Sequence, residues 1–139
     1  MNLDETKVSS FEIANLERAI TLVDMIAYAG ATWDWHRLHY DPAYIAERNL
    51  PGPVVDGQVF GAYLCEQLLD HFGPTSWVRK IAFQFTSMVF AGETVTVSAQ
   101  ITEDRGNEVS VTQQIHVGER LCVKGTATVQ VNRFSKVVS

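Results

Sequence analysis

One stretch limits the architectures open to this chain more than any other: the fifteen residues QVFGAYLCEQLLDHF, Gln58 to Phe72. Asp56-Gly57 ahead of it reads as a helix start, and Gly73-Pro74 behind it as a stop. Val59, Phe60, Tyr63, Leu64, Leu68 and Phe72 cover well over half of the helical circumference. Such a helix is stable only when it is buried on most sides. Gly61 and Ala62 are small enough to let a sheet approach it closely. With 139 residues the chain is expected to form a single domain, 1–139, around one core, so the rest of the chain must do the wrapping.

The second half supplies the wrapping material. After residue 78 the hydrophobic period becomes two. Residues 80–89 alternate, with Ile81, Phe83 and Phe85 on one face, and Gly92 marks a turn. Residues 93–102 place Val95, Val97, Ala99 and Ile101 on one face and Thr94, Thr96, Ser98 and Gln100 on the other. Asp104-Arg105-Gly106-Asn107 is a hairpin turn. Residues 108–117 and 121–131, joined at Gly118, complete an antiparallel meander. Residues 11–20 are a weaker strand candidate. One long buried helix with a long antiparallel sheet predicts an α+β fold in which a curved sheet wraps the helix. A chain this short leaves sheet edges uncovered, and dimerisation is the expected remedy.

The first half reads as two shorter helices around a loop. Thr21-Leu22-Val23-Asp24 has capping-box spacing, and Gly30 is placed to close the helix that follows. Asp41-Pro42 is an N-cap followed by proline at the first helical position, and Leu50-Pro51-Gly52-Pro53 ends that helix.

Composition excludes several classes. A net charge of −5 draws the chain neither to nucleic acid nor to anionic lipid. No apolar run approaches the ~18 residues of a membrane span, and the polar start has no secretory-signal pattern, so a cytoplasmic protein is expected. Cys65 and Cys122 sit in apolar surroundings and read as buried, unpaired residues.

Chemistry concentrates between the two short helices, in Trp33-Asp34-Trp35-His36-Arg37-Leu38-His39-Tyr40-Asp41. A connecting loop has no physical need of two carboxylates, two imidazoles, a guanidinium and three aromatic rings. Asp34 and His39 can hold one water between them, one group taking its proton while the other orients it or returns a proton. Tryptophans on either side of Asp34 are expected to exclude water and raise its pKa. Asp41 is assigned to capping and Arg37 to a surface or salt-bridging role. His36, His39 and Asp41 could gather on a metal, but no full ligand set is evident, and no metal is expected. The outward-pointing amides at Asp56-Gly57 can polarise a carbonyl oxygen, with glycine permitting close approach.

At these residues the chain resembles the MaoC-like (R)-specific enoyl-CoA hydratases and related acyl dehydratases. The family's hallmark is approximately Gly-Asp-x-Asn-Pro-(Ile/Leu)-His. Here Ala31-Thr32-Trp33-Asp34-Trp35-His36-Arg37-Leu38-His39 keeps the spacing of the acid and the imidazole. Pro53-Val54-Val55-Asp56-Gly57-Gln58 resembles a segment usually ending His-Gly-Met. The run from Phe83 to Val95 resembles the family's Phe-x-x-Pro-Val-x-x-Gly-Asp strand and turn. Trp33 stands where glycine is usual, His36-Arg37 where Asn-Pro is usual, and Asp56 where histidine is usual.

The resemblance implies a hot-dog fold and reversible hydration of an enoyl thioester to an (R)-3-hydroxyacyl thioester. It implies Asp34 and His39 as the catalytic pair and the Gly57 amide as the group that binds the thioester oxygen. Trp33, His36 and Gln58 are the further candidates for substrate contact. No cofactor is expected beyond the coenzyme A carried by the substrate, for whose phosphates Arg79, Lys80, Arg133 and Lys136 are candidate contacts. A homodimer or higher homo-oligomer is expected, with a heterodimeric dehydratase subunit as an alternative. A hot-dog thioesterase using Glu66 or Asp56 is the other alternative.

Overall fold

The computed structural model describes residues 12–132. In chain order the elements are β1 (Leu16–Ala19), α1 (Leu22–Thr32), a 3-10 turn (Arg37–His39), α2 (Pro42–Glu47), α3 (Gln58–Phe72), β2 (Trp77–Phe85), β3 (Thr94–Asp104), β4 (Glu108–Val117) and β5 (Arg120–Gln130). The five strands form one antiparallel sheet in the order β1-β3-β4-β5-β2. No helix among the described residues is long and apolar enough to cross a membrane.

The sheet presents its apolar face to α3. Val95 and Val97 of β3, Val109, Val111 and Ile115 of β4, and Val123, Ala127 and Val129 of β5 are buried, as are Val59, Phe60, Leu64 and Leu68 of α3. Alternation on the strands and burial around the helix are therefore two halves of one core. Gly61 is needed where α3 crosses β2: a Cβ there would lie 2.9 Å from the tip of the Phe83 ring. Ala62, expected to share that role, is exposed instead.

Two glutamines interrupt the apolar interior. Gln67 of α3 donates from Nε2 to the carbonyl oxygens of Ala14 and Val97, each at 3.0 Å. Gln113 of β4 donates to Leu64 O at 3.0 Å and to Gln67 Oε1 at 2.9 Å. Both are buried. They pin the helix to the sheet by direction as well as by area, because a hydrogen bond fixes a rotation that apolar contact leaves loose.

Helix termini follow the local chemistry with one exception. The Thr21 hydroxyl accepts from Asp24 N at 3.1 Å, and Asp24 Oδ2 accepts from Thr21 N at 3.1 Å, a closed capping box. Asp41 caps α2 by accepting from Ala43 N and Tyr44 N. Gly30, expected to end α1, lies inside it. The helix runs on to Thr32, and Trp33 takes the left-handed position at φ 58°. The capping amide bonds close on Ala29 O from both Trp33 and Asp34, so the turn falls where they converge rather than at the first glycine.

Strand limits also shift. β1 covers only part of the 11–20 expectation, and residue 11 lies outside the described residues. β2 stops at Phe85 rather than 89 because the next two amides both turn onto Cys122 O, and the Thr86 hydroxyl onto Leu121 O. The chain then peels toward Val89, whose carbonyl accepts Val55 N at 2.8 Å. That departure ties the segment before α3 to the body of the sheet.

Candidate active site

Three anchored segments bring the site together. The reversal at Trp33 delivers Asp34, whose own amide donates back to Ala29 O at 3.1 Å. His36 Nδ1 then accepts from Leu38 N at 3.2 Å and starts the 3-10 turn that carries His39. His36 thereby supports the loop, in the place where the hallmark has asparagine. Leu38 O accepts Val54 N at 3.1 Å, and Val54 O accepts from the His39 ring at 2.6 Å. The segment 53–55 is in turn fixed by Val55 N to Val89 O and Ala91 N to Pro53 O. Asp56 and α3 follow directly from it.

The result is a notch in which Asp34 and His39 face each other. His39 Nε2 and Asp34 Oδ2 are 4.0 Å apart. That is too long for a direct charge-assisted hydrogen bond. It suits a shared water: an oxygen about 2.8 Å from each atom would see them about 90° apart, near its natural hydrogen-bonding spread. The His39 side chain is only 12% exposed and the Asp34 side chain 44%. The imidazole is therefore fixed, while the carboxylate meets solvent.

The electrostatics of Asp34 differ from the sequence expectation. Its carboxyl is held below the ordinary 3.8, first by a side-chain hydrogen bond with Asp56, then by the His36 amide. Desolvation opposes this and loses. The reason is geometric: Trp33 is 79% exposed and Trp35 38% exposed, so the tryptophans do not enclose the acid. They stack edge to face on each other, with ring centroids 5.8 Å apart, and Trp35 meets Tyr40 in the same way at 6.0 Å.

Asp56, expected as a helix start and as an acid of the thioesterase alternative, stands beside the pair. Its Oδ1 does accept Gln58 N at 3.0 Å. Yet ligand atoms of Asp34, His39 and Asp56 all lie within 4.8 Å of one another. A separation of seventeen positions from His39 hides this in the sequence. The one available signal was an acid standing where the family has histidine. Such a trio also has the spacing of a cation site, and acidic groups this exposed commonly gather without one. The grouping of His36, His39 and Asp41 does not form, because Asp41 is occupied by two amides and by Arg37 Nε at 2.8 Å. Tyr28 of α1 completes the surroundings: burial first, then the charges of Asp56 and Asp34, hold its phenol above its ordinary value, so it stays protonated.

The remaining candidates divide. The Gly57 N–H finds no acceptor among the described residues and lies at the start of α3. Its missing Cβ, however, makes room for a protein ring: a Cβ would sit 2.8 Å from Phe85 Cε1. Close approach by a ligand on that side is thus replaced by Phe85. Gln58 is exposed beside it, as is Trp33 at the outer rim. Arg79 lies 3.9 Å from Glu108, Lys80 is exposed, and Arg133 and Lys136 lie outside the described residues. Cys65 and Cys122 are both free. Glu66 is engaged by Arg18 in an ion pair.

A curved antiparallel sheet on one long helix, with an acid and an imidazole meeting at its margin, defines a class that the comparisons make specific. Residues 11–122 match the family described as MaoC like domain, and the chain belongs to that family. It is 29% identical over 125 residues to the (R)-specific enoyl-CoA hydratase of Aeromonas caviae, covering 85% of this chain and 91% of that protein. The solved structure of the (R)-hydratase from A. caviae matches with a TM-score of 0.80 at 27% identity, covering 86% of this chain and 93% of that one. A chain of the ChsH1-ChsH2 complex from Mycobacterium tuberculosis shares the fold, with a TM-score of 0.80 at 18% identity and coverage of 86% and 94%. The fold is the hot dog that the resemblance implied.

Proposed function

We propose that the protein adds water reversibly across the double bond of a trans-2-enoyl thioester, giving the (R)-3-hydroxyacyl thioester. The observation that carries this reading is the 4.0 Å notch between His39 Nε2 and Asp34 Oδ2, with the opposite ring nitrogen tied to Val54 O. A carbonyl can only accept, so Nδ1 carries the proton and the neutral ring offers its Nε2 lone pair to the water. Asp34, held ionised, orients that water and balances the imidazolium charge as it develops. The oxygen adds to C3 and a proton reaches C2. Gly57 N–H, at the positive end of α3, receives the thioester oxygen as it becomes enolate-like.

Similarity to an (R)-specific enoyl-CoA hydratase supports the substrate class and the product hand. Coenzyme A as the thiol carrier is supported by the same relative. The exposed apolar rings of Phe85 and Trp33 beside an open notch support a second subunit covering this side, most simply another copy of the chain. With Glu66 engaged by Arg18, the observations favour hydration over thioester hydrolysis.

A panel of enoyl-CoA thioesters of varied acyl shape tests the proposal. Loss of enoyl absorbance without thiol release, and a product heavier by one water, are expected. Thiol release without enoyl loss would replace hydration by hydrolysis.

A further inference from the structure

Val54 carries its backbone between two partners. On one edge it bridges antiparallel to Phe90, with Val55 N donating to Val89 O at 2.8 Å and Ala91 N to Pro53 O at 2.9 Å. Successive backbone groups of an extended chain point to opposite edges, so the N–H and C=O of Val54 itself face the other way. There the amide donates to Leu38 O at 3.1 Å, and the carbonyl oxygen accepts from the His39 ring at 2.6 Å. The aim of that carbonyl is set by what holds Phe90. A single residue, Glu93, closes the outer edge of Phe90. Its amide donates to Phe90 O at 3.1 Å, and its Oε1 accepts from Phe90 N at 2.9 Å. Arg120, the first residue of β5, holds that carboxylate in turn. Its Nη2 donates to the two Glu93 oxygens at 2.7 and 2.8 Å and to Met88 O at 3.3 Å. Two positions on, Cys122 O accepts from Thr86 N at 2.8 Å. The start of β5 thus grips the segment 86–93 at both ends. The ion pair is partly exposed, and such pairs add little to global stability, but a charge-assisted contact fixes direction.

We propose that Glu93 and Arg120 are positioning residues for the hydration reaction: their ion pair, acting through Phe90 and Val54, holds the His39 ring with Nε2 aimed at the water beside Asp34. This rests on the hydration reading above and adds to it the remote pair that aims the base. The path has a hydrogen bond at every link. Arg120 holds Glu93, Glu93 holds Phe90 N, the bridge joins Phe90 to Val54, and Val54 O holds His39 Nδ1. With Glu93 removed, the Phe90 peptide planes are free to rotate. Val54 follows across the two bridging bonds, and its carbonyl swings off the ring. A ring without that acceptor turns about its side-chain bonds and exchanges its proton between the two nitrogens. The Nε2 lone pair then leaves the notch for part of the time. Proton transfer from water depends steeply on that alignment. The displaced group acts on water and not on the thioester, so the loss falls on kcat more than on KM.

Glu93→Ala removes both the acceptor for Phe90 N and the partner of Arg120. With a good enoyl-CoA substrate, kcat should fall about 10- to 10²-fold while KM changes less than about threefold. Long-range nitrogen–proton correlation spectra of the neutral His39 ring give a second readout that needs no substrate. Wild type should show Nδ1 protonated and Nε2 bare, and in Glu93→Ala the two nitrogen signals should converge as the tautomers mix. Gln67→Ala is the control for general softening, because its contacts run to Ala14, Val97 and Gln113 and not to Val54. It should keep wild-type kcat and ring signals. Glu93→Gln keeps an oxygen for Phe90 N and should fall between wild type and Glu93→Ala in both rate and ring signals. It carries the test alone if circular dichroism shows the alanine variant unfolded, and wild-type values in it then overturn the proposal. If Glu93→Ala folds and keeps kcat within about threefold with wild-type ring signals, the pair does not aim His39. Lost activity with unshifted ring signals, or the same shift in Gln67→Ala, would mean a merely structural role and also overturns the proposal. Failure of the hydration reading looks different: wild-type protein would then hydrate no enoyl thioester, while the ring spectra would still judge the clamp.

Discussion

The His39 ring donates from Nδ1 to the carbonyl oxygen of Val54 at 2.6 Å, and this single contact decides which ring nitrogen faces Asp34. Because the acceptor is backbone, the choice is built into the loop that links α2 to α3, with no side chain as the acceptor. Nitrogen-detected proton correlation spectra of the neutral ring should show His39 protonated at Nδ1 and bare at Nε2. The opposite tautomer would remove the lone pair from the notch.

Trp33 occupies a left-handed position that glycine adopts without penalty. For a residue with a Cβ, that conformation costs about 1–2 kcal/mol. Trp33 is largely exposed and touches Trp35 edge to face, so little burial offsets the strain. Trp33→Gly should therefore raise stability by about 0.5–1 kcal/mol, read as a higher urea midpoint. An unchanged or lowered midpoint would show that the contact with Trp35 outweighs the strain.

Gln67 connects three things at once: the chain before β1, strand β3, and Gln113 of β4. Gln67→Ala leaves two backbone carbonyls and a Gln113 donor without their partner and opens a cavity beneath α3. A loss of about 2–4 kcal/mol is expected by chemical denaturation. A loss under about 1 kcal/mol would mean that the amide network is incidental to packing.

These predictions also mark where sequence patterns stop. The helix Gln58–Phe72, the hairpin turn at Gly106, and the caps at Thr21 and Asp41 were legible because each rests on contacts within a few residues. The period-two strands were legible because alternation reports burial directly. Gln67 and Gln113 were not, since a polar residue on an apolar face breaks the pattern, and its partner lies 46 residues away. The pairing of Asp34 with His39 was anticipated from their spacing and the family resemblance. The position of Asp56 beside them was not legible, because the tie between Val54 and the 3-10 turn is tertiary. The tryptophans misled, because aromatic neighbours in sequence need not enclose the residue between them.

Stability should depend on pH through the helix caps. Asp24 is held below the ordinary 3.8, first by the Thr21 hydroxyl and then by the Thr21 amide. A depressed folded-state value means that its contribution is complete above the unfolded value and is lost as pH falls through the folded one. Asp41, lowered chiefly by Arg37, follows the same sign. The difference in melting temperature between wild type and Asp24→Ala should be steady above about pH 5 and shrink below about pH 4. A difference that grows on acidification would reverse the assignment.

The most direct test is the hydration rate of a good enoyl-CoA substrate in Asp34→Asn and His39→Gln, each checked for native circular dichroism. Each variant is expected to lose about 10²–10⁴-fold in kcat while remaining folded. If both hydrate the substrate at the wild-type rate, the notch between the two side chains is not where water is activated.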